Sequence, residues 1–435
     1  MAAHPHGHTH DPAALRSVRA PRGVRWLLGV LVVLLLAAAL AGVASTWPTG
    51  ARPGAAPTAT TFVGEEVVHG RVEGVRQDRC PGTSEDRLPD GEIPAVVDCP
   101  HAAVRLNDGP GAGSTVEVPV PALIARGGLE RGDAVTLSLF PATAGQPAVY
   151  AWNDFDRRFP LALAVGLFAV LTVAVAGRRG VAALVGLGVG GAAVLGYVVP
   201  SLLEGNSPVV VALSASVAVM GVVLYTTHGV STRTTAAYLG TVAGLGATAL
   251  LAHAAVDATQ LRGLDDEDSY TVSLLAGGVD LRGFVLAGVV IAALGSLNDV
   301  TITQASAVWE VRAHDPAARF ATLLRSGMRV GRDHLASTVY TVAFAYAGAA
   351  LPTLLLIELY ERPLGQVLTS GAVAEEVVRT VVAGAALALA VPFTTALAAA
   401  AIGAGTRVEG TRVEGTRVDG AAAGPGEAPG AEGLS

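Results

Sequence analysis

Lysine is absent from this chain, and all 29 of its basic residues are arginine. That exclusive usage reads as codon bias rather than function. It still removes the lysine that a Walker-type phosphate loop needs, so the chain alone is no ATP-driven pump. Charge of either sign is scarce, at 15% of residues, where soluble domains carry roughly a quarter. Aromatic residues reach only 5%. A formal net charge of −7 offers no basic footprint, so a nucleic-acid partner is not expected. Two cysteines are too few for a metal-ligand framework. HExxH and G-x-S-x-G are missing as well. With no visible nucleophile–base pair, the expectation is no catalytic residue, no cofactor and no metal site. A transporter-type inverted repeat is not visible either.

What fills the chain is apolar. Hydrophobic residues make up 51%, and the mean hydropathy is +0.51. The 53 glycines sit mostly inside apolar runs, where small residues let membrane helices approach closely. A spanning helix needs about 20 predominantly apolar residues. Eight segments qualify: 25–46, 159–177, 181–200, 208–227, 235–256, 283–304, 335–357 and 377–402. The expected fold class is therefore an α-helical polytopic membrane protein of about eight transmembrane helices. Arginine distribution sets the orientation, because cytoplasmic loops retain positive charge. With the N-terminus inside, cytoplasmic segments hold fifteen arginines and the short external loops only four, Arg262, Arg282, Arg362 and Arg379, beside the acidic run "LDDEDS". This predicts a plasma-membrane protein with both termini cytoplasmic.

Between the first and second spans lies a non-membrane segment, 47–158. It begins with the linker "WPTGARPGAAPTAT" and continues with β-type runs: "EEVVHGRVEGVR", "AAVRLND", "STVEVPVP", "AVTLSLF" and "PAVYAW". Turns such as "NDGPGAG" and "RGGLERGD" separate them, which predicts a small exported β-barrel or sandwich between helices 1 and 2. Both cysteines, Cys80 and Cys99, lie in this segment, and outside the cytoplasm such a pair is expected to form a disulfide. The first hydrophobic stretch reads as an uncleaved anchor, with a cleaved signal peptide ending near "AGVAS" as the alternative. Either way 47–158 is exported. The tails, 1–24 and 403–435, read as disordered. The first carries "HPHGHTH", whose alternating histidines could bind a transition metal, and the second the repeat "GTRVEGTRVEGTRVDG". The domain plan is thus tail, anchor (25–46), exported domain (47–158), seven-helix domain (159–402) and tail.

The sixth span does not stay apolar. In "GSLNDVTITQASAVWEVRAHDP", Ser296, Asn298, Asp299, Thr301, Thr303, Gln304 and Ser306 follow closely on "GFVLAGVVIAAL". Ser296, Asp299, Thr303, Ser306 and Glu310 share one helical face, continued backward by Gly288, Ala292 and Gly295. An Asp at bilayer centre costs about 2.5–3.5 kcal/mol on insertion scales, so it usually faces a cavity or a partner. The competing reading is a helix that leaves the membrane early with Asp299 solvated. The next span opens on Arg332, Asp333 and His334, with Ser337, Tyr340 and Thr341 just inside and Pro352 expected to kink it. Arg332 and Asp333 would meet Asp299 and Glu310 if the two spans are neighbours. Between them, "PAARFATLLRSGMRVG" reads as a basic amphipathic helix on the inner membrane surface. "GLGVG" (Gly186 to Gly190) and "GTVAG" (Gly240 to Gly244) read as packing motifs.

"LGSLNDVTITQASAVWEV" and "LLRSGMRVGRDHLASTVYTVAFAYAGAALPTLLL" resemble the YibE/F-like family of bacterial polytopic membrane proteins. "THGVSTRTTAAYLGT", "LRGLDDEDSYTV" and "GDAVTLSLF…VYAWNDFDRRFPL" extend the resemblance over residues 60–402. It implies a multi-span protein with an external β-rich domain, and no substrate. The expected function is a permease or secondary transporter of a small solute or ion. Its path candidates are Ser296, Asn298, Asp299, Thr303, Ser306, Glu310, Arg332 and Asp333, and its surroundings the lipid bilayer. The alternative is a scaffold or sensor whose exported domain binds a ligand or an envelope protein.

Overall fold

A computed structural model describes residues 18, 20–50, 66–88, 90–142, 147–264, 271–273, 279–359 and 363–403. Most of both tails, most of the first linker and most of "LDDEDS" lie outside these residues, so the expectations for those parts do too. The end of the first tail, from Arg22, is helical rather than disordered.

Seven helices are long and apolar enough to cross a membrane: α1 (Arg22–Ser45), α3 (Arg158–Ala176), α4 (Arg178–Leu203), α5 (Pro208–His228), α6 (Thr232–Thr259), α7 (Leu281–His314) and α11 (Gly371–Gly403). An eighth is formed if α8 (Phe320–Ala349) and α9 (Leu351–Leu359) count as one broken span. A short helix, α10 (Leu364–Leu368), leads into α11.

One expectation needs correction here, and the kink expected from Pro352 is present. The basic amphipathic segment is not a separate surface helix. It runs on without a break into the seventh span as α8, because nothing between Phe320 and Ala349 interrupts helix formation. The break comes afterwards: α9 departs from α8 at 65° at Ala350, two residues before Pro352. Proline has no N–H for the preceding turn and its ring crowds the carbonyl there, so the helix yields on that side.

α7 is the central helix, packed against α5, α6, α8 and α11. Small residues set these approaches. Gly240 of α6 lies directly against Thr394 of α11, and a Cβ on Gly244 would stand 2.7 Å from Leu297 of α7. Gly186 meets Val223 in the same way, at 3.2 Å. α1 belongs to the bundle as well, with Leu28, Val32 and Ala39 buried and Gly42 closed over by Ser214. Its C-terminal end is tied to the C-terminal part of α4. Thr46 Oγ1 lies 2.6 Å from the Tyr197 hydroxyl, Ser201 donates to the Thr46 carbonyl at 2.7 Å, and Trp47 stacks on Tyr197. By contrast, α3 buries no residue and packs only along α4.

The predicted β runs become five strands: β1 (Glu66–Cys80), β2 (Val97–Leu106), β3 (Thr115–Pro119), β4 (Ala134–Phe140) and β5 (Val149–Phe155). They form one antiparallel sheet in the order β3-β2-β1-β4-β5, with helix α2 (Ala122–Arg126) between β3 and β4. The edge strands β3 and β5 come into contact, curling the sheet toward a barrel. A five-stranded antiparallel sheet whose edge strands meet in this way is a small, partly open barrel. Its interior follows the period-2 rule of strands: Val68 and Val72, Ala102, Val104 and Leu106, and Val135, Leu137 and Leu139 are all buried. Cys80 and Cys99 are bridged, tying the end of β1 to the start of β2 across their long connection.

Candidate functional site

The polar stretch of α7 splits between two faces. Thr301 and Gln304 turn into the bundle and are fully buried. Thr301 shares a 2.7 Å hydrogen bond with Thr241 of α6. The Thr395 hydroxyl donates to the Val391 carbonyl at 2.6 Å, which leaves its oxygen to accept from the Gln304 amide at 2.8 Å. The same amide nitrogen donates to the Gly327 carbonyl of α8 at 3.1 Å. One glutamine therefore joins α7, α8 and α11. Such bonds hold membrane helices together at about 0.6 kcal/mol each. Gly327 and Gly331 make room for it: a Cβ on Gly331 would stand 2.8 Å from the Gln304 side chain and 2.6 Å from Val391.

Ser296 and Asp299 turn the other way, into a groove between α7 and α8 of about 490 Å³. Ala292 and Gly295 complete the α7 wall, while His334, Ser337, Thr338, Thr341 and Tyr346 line the α8 wall. Asp299 Oδ2 lies 3.3 Å from His334 Nε2, too poorly aligned to count as a hydrogen bond. The Asp299 side chain is 64% exposed and that of His334 26%. The groove is open along its length, and its acid meets whatever fills the open side. The Ser296 hydroxyl donates to the Ala293 carbonyl and that of Thr303 to the Asp299 carbonyl. Ser337 and Thr338 both donate to the His334 carbonyl, so each hydroxyl keeps its acceptor capacity for groove water.

The other predicted site residues are dispersed. Asn298 is half-buried, with a buried Oδ1 that has no partner among the described residues. Thr303 and Ser306 are half-buried outside the groove lining. Glu310 lies near enough to Arg233 of α6 to interact electrostatically. Arg332 and Asp333 are exposed and do not meet Asp299, a correction with a physical cause. Gly327 and Gly331 fix which face of α8 packs inward. His334 follows Gly331 by three residues and falls on that face; Arg332, one residue on, is turned by about 100°. Sequence reasoning thus missed His334 as the partner of Asp299. The readable signal was the Gly-xxx-Gly pair in "SGMRVGRDH". It also left Arg379 in an external loop, whereas Arg379 lies inside α11.

Electrostatics in the barrel concentrate where it joins α3. Arg158, at the start of α3, donates to Asp156 at 2.9 and 2.7 Å, and these bonds hold the Asp156 carboxyl down at about 2. Asp108 is also held below the usual carboxylate range, chiefly by the His69 backbone N–H at 2.6 Å. Among the described residues no group of three or more His, Cys, Asp or Glu side chains could hold a metal ion.

A family model described as YibE/F-like protein matches residues 164–404 of 435, more than half of the chain. The match runs from within α3 to the end of α11 and leaves the barrel outside. Comparison with curated proteins and with solved structures gave no match.

Proposed function

Since the chain belongs to the YibE/F-like family, we propose that it is a multi-pass plasma-membrane carrier in which the α7–α8 groove passes a small solute or ion. One observation carries the reading. α7, of membrane-crossing length and apolarity, and α8, which reaches that length and apolarity only together with α9, enclose a groove that holds an ionisable acid, an imidazole and several hydroxyls. Ionisable groups are expensive within a bilayer and usually mark a path or a binding site. The two polar faces of α7 separate what holds the bundle from what faces the groove. Gln304 and Thr301 do the first; Asp299 and Ser296 are free for the second. No catalytic step is assigned to the chain, and both termini are placed on the cytoplasmic side.

The competing role, a sensor or scaffold, draws on the barrel, which has its own core and disulfide. Fold alone does not decide such a role. A deletion strain profiled for growth across salts, pH and solutes, then complemented, separates the two. The carrier reading expects complementation without residues 60–150 and none with Asp299→Asn. The reverse pattern overturns it.

A further inference from the structure

The groove beside Asp299 does not end at Tyr346. A second cavity, of about 540 Å³, opens on the other side of that ring, where α9 swings away from α8 and exposes the side of α11. Its charged wall is Arg379, which donates to Glu375 at 2.6 Å and to Glu376 at 3.0 Å. These side chains are only 23%, 17% and 29% exposed. Arg379 Nε and Glu376 Oε2 are buried without hydrogen-bond partners among the described residues. Each unmet group carries a desolvation cost, and a well-packed apolar trio would avoid it. Helix packing therefore does not account for this cluster.

Two observations relate the cavities to one another. Tyr346 lines both and lies within electrostatic reach of Arg379 and Glu376. On α7, one turn before Ala292, a Cβ on Gly288 would come within 3.9 Å of Arg379 Nη2. Gly288, Ala292, Gly295 and Asp299 share one face of α7. A single strip of small residues thus leads from the guanidinium to the carboxylate, over a helical rise of about 16 Å. That is more than half of a hydrocarbon core about 30 Å thick.

We infer that Arg379, Glu375 and Glu376 form the second station of the path that begins at Asp299 and His334, and that the species relayed between the stations is a proton. The inference rests on the carrier reading of the groove. Histidine is a common proton shuttle, and His334 has a carboxylate beside it to take the other end of the transfer. The hydroxyls of Ser337, Thr341 and Tyr346 follow along α8. Those of Ser337 and Thr341 donate to the His334 and Ser337 carbonyls, and each joins the relay when its O–H turns from the carbonyl to groove water, accepting one proton while giving up another. Water between them completes the relay. At the far end, Glu376 Oε2 is an acceptor with no competing donor, while its Oε1 is held by Arg379. A proton that enters protonates the His334–Asp299 pair, passes through hydroxyls and water to Glu376, and leaves to the opposite solution. Arg379 stays charged throughout and compensates the carboxylates. No covalent bond to carbon changes and no electron moves.

The test uses the full chain reconstituted in liposomes with a trapped pH-sensitive dye, an imposed pH step and a potassium diffusion potential to balance charge. Wild-type vesicles are expected to carry a proton flux above that of protein-free vesicles. Glu376→Gln and Asp299→Asn should each reduce it on the order of 100-fold, the scale of a lost acid–base group. Tyr346→Phe should give a smaller loss, and Glu376→Asp should restore part of the flux. Glu376→Gln leaves Arg379 paired with Glu375, and gel filtration confirms that each variant is folded. Full flux in Glu376→Gln with none in Asp299→Asn overturns the second station and leaves the groove reading standing. Full flux in both overturns the two together. Wild-type vesicles as tight as empty ones overturn the proton, and the genetic test above then stands alone for the groove.

Discussion

Asp299→Asn removes a charge while keeping the shape of the side chain, so its effect on stability reports what surrounds position 299. The carboxylate is 64% exposed and lies 3.3 Å from His334 without hydrogen-bond alignment. Exposed pairs of this kind contribute about 0.2–1 kcal/mol. If the groove is wet, the variant should lose no more than that. If Asp299 faces lipid instead, removing its charge should stabilise the bundle by up to about 2.5–3.5 kcal/mol. If it is tightly paired with a buried cation, the loss should be about 3–5 kcal/mol. The sign and the size are therefore both informative. Thermal and denaturant unfolding in lipid nanodiscs measures them, with His334→Gln and Arg332→Gln made alone and in combination with Asp299→Asn. Coupling is expected to His334 and absent to Arg332. A stabilisation of several kcal/mol in Asp299→Asn, or a coupling to Arg332 larger than that to His334, would refute the wet groove.

Gly331→Ala should destabilise by about 1–3 kcal/mol through overpacking, because its Cβ would stand 2.6 Å from Val391 and 2.8 Å from Gln304. Adding Val391→Ala should recover part of the loss in the same unfolding assay. The Cys80–Cys99 bridge spans a separation of 19 residues, a closure that contributes about 3 kcal/mol in the chain-entropy account. Reduction should lower the unfolding midpoint of the barrel, and non-reducing mass spectrometry should find neither thiol free to alkylate. The folded Asp156 carboxyl is depressed from 3.8 to about 2. Its stabilising contribution is therefore complete above pH 3.8 and lost as pH falls toward 2. Pepsin sensitivity of the barrel–α3 joint should rise across that window, and Asp156→Asn should remove the dependence.

Much of this architecture could be read from residue order because its signals are local. Long apolar runs marked seven of the helices, and alternation with glycine turns marked all five strands. The register of α8 could not be read that way. Arg332 and His334 are two residues apart in a mixed segment, and only the contacts of Gly327 and Gly331 with α7 and α11 decide which of them faces Asp299. Nor did hydropathy separate the two roles within "LNDVTITQ". Gln304 and Asp299 are both polar interruptions of an apolar helix, yet one is wholly buried in the bundle and the other opens into a groove. Arg379 was misplaced for a related reason. A charge near the start of an apolar run looks like the end of a loop, whereas its two glutamates on the same helix keep it inside α11.

The junction between barrel and bundle sets how far the barrel can stand from the bilayer. Only Asp156 and Arg157 separate β5 from α3, and Asp156 is clamped to Arg158. Two extended residues reach about 7 Å at most. α3 has 19 residues, a length of about 28 Å that a hydrocarbon core of about 30 Å takes up entirely. With α3 crossing the bilayer as proposed, its first turn would lie at the edge of the hydrocarbon and β5 would end within the headgroup layer. The barrel has no stalk on this side. In that placement lipid headgroups would be part of its working surroundings, and any partner reaching β5 would do so at the membrane surface.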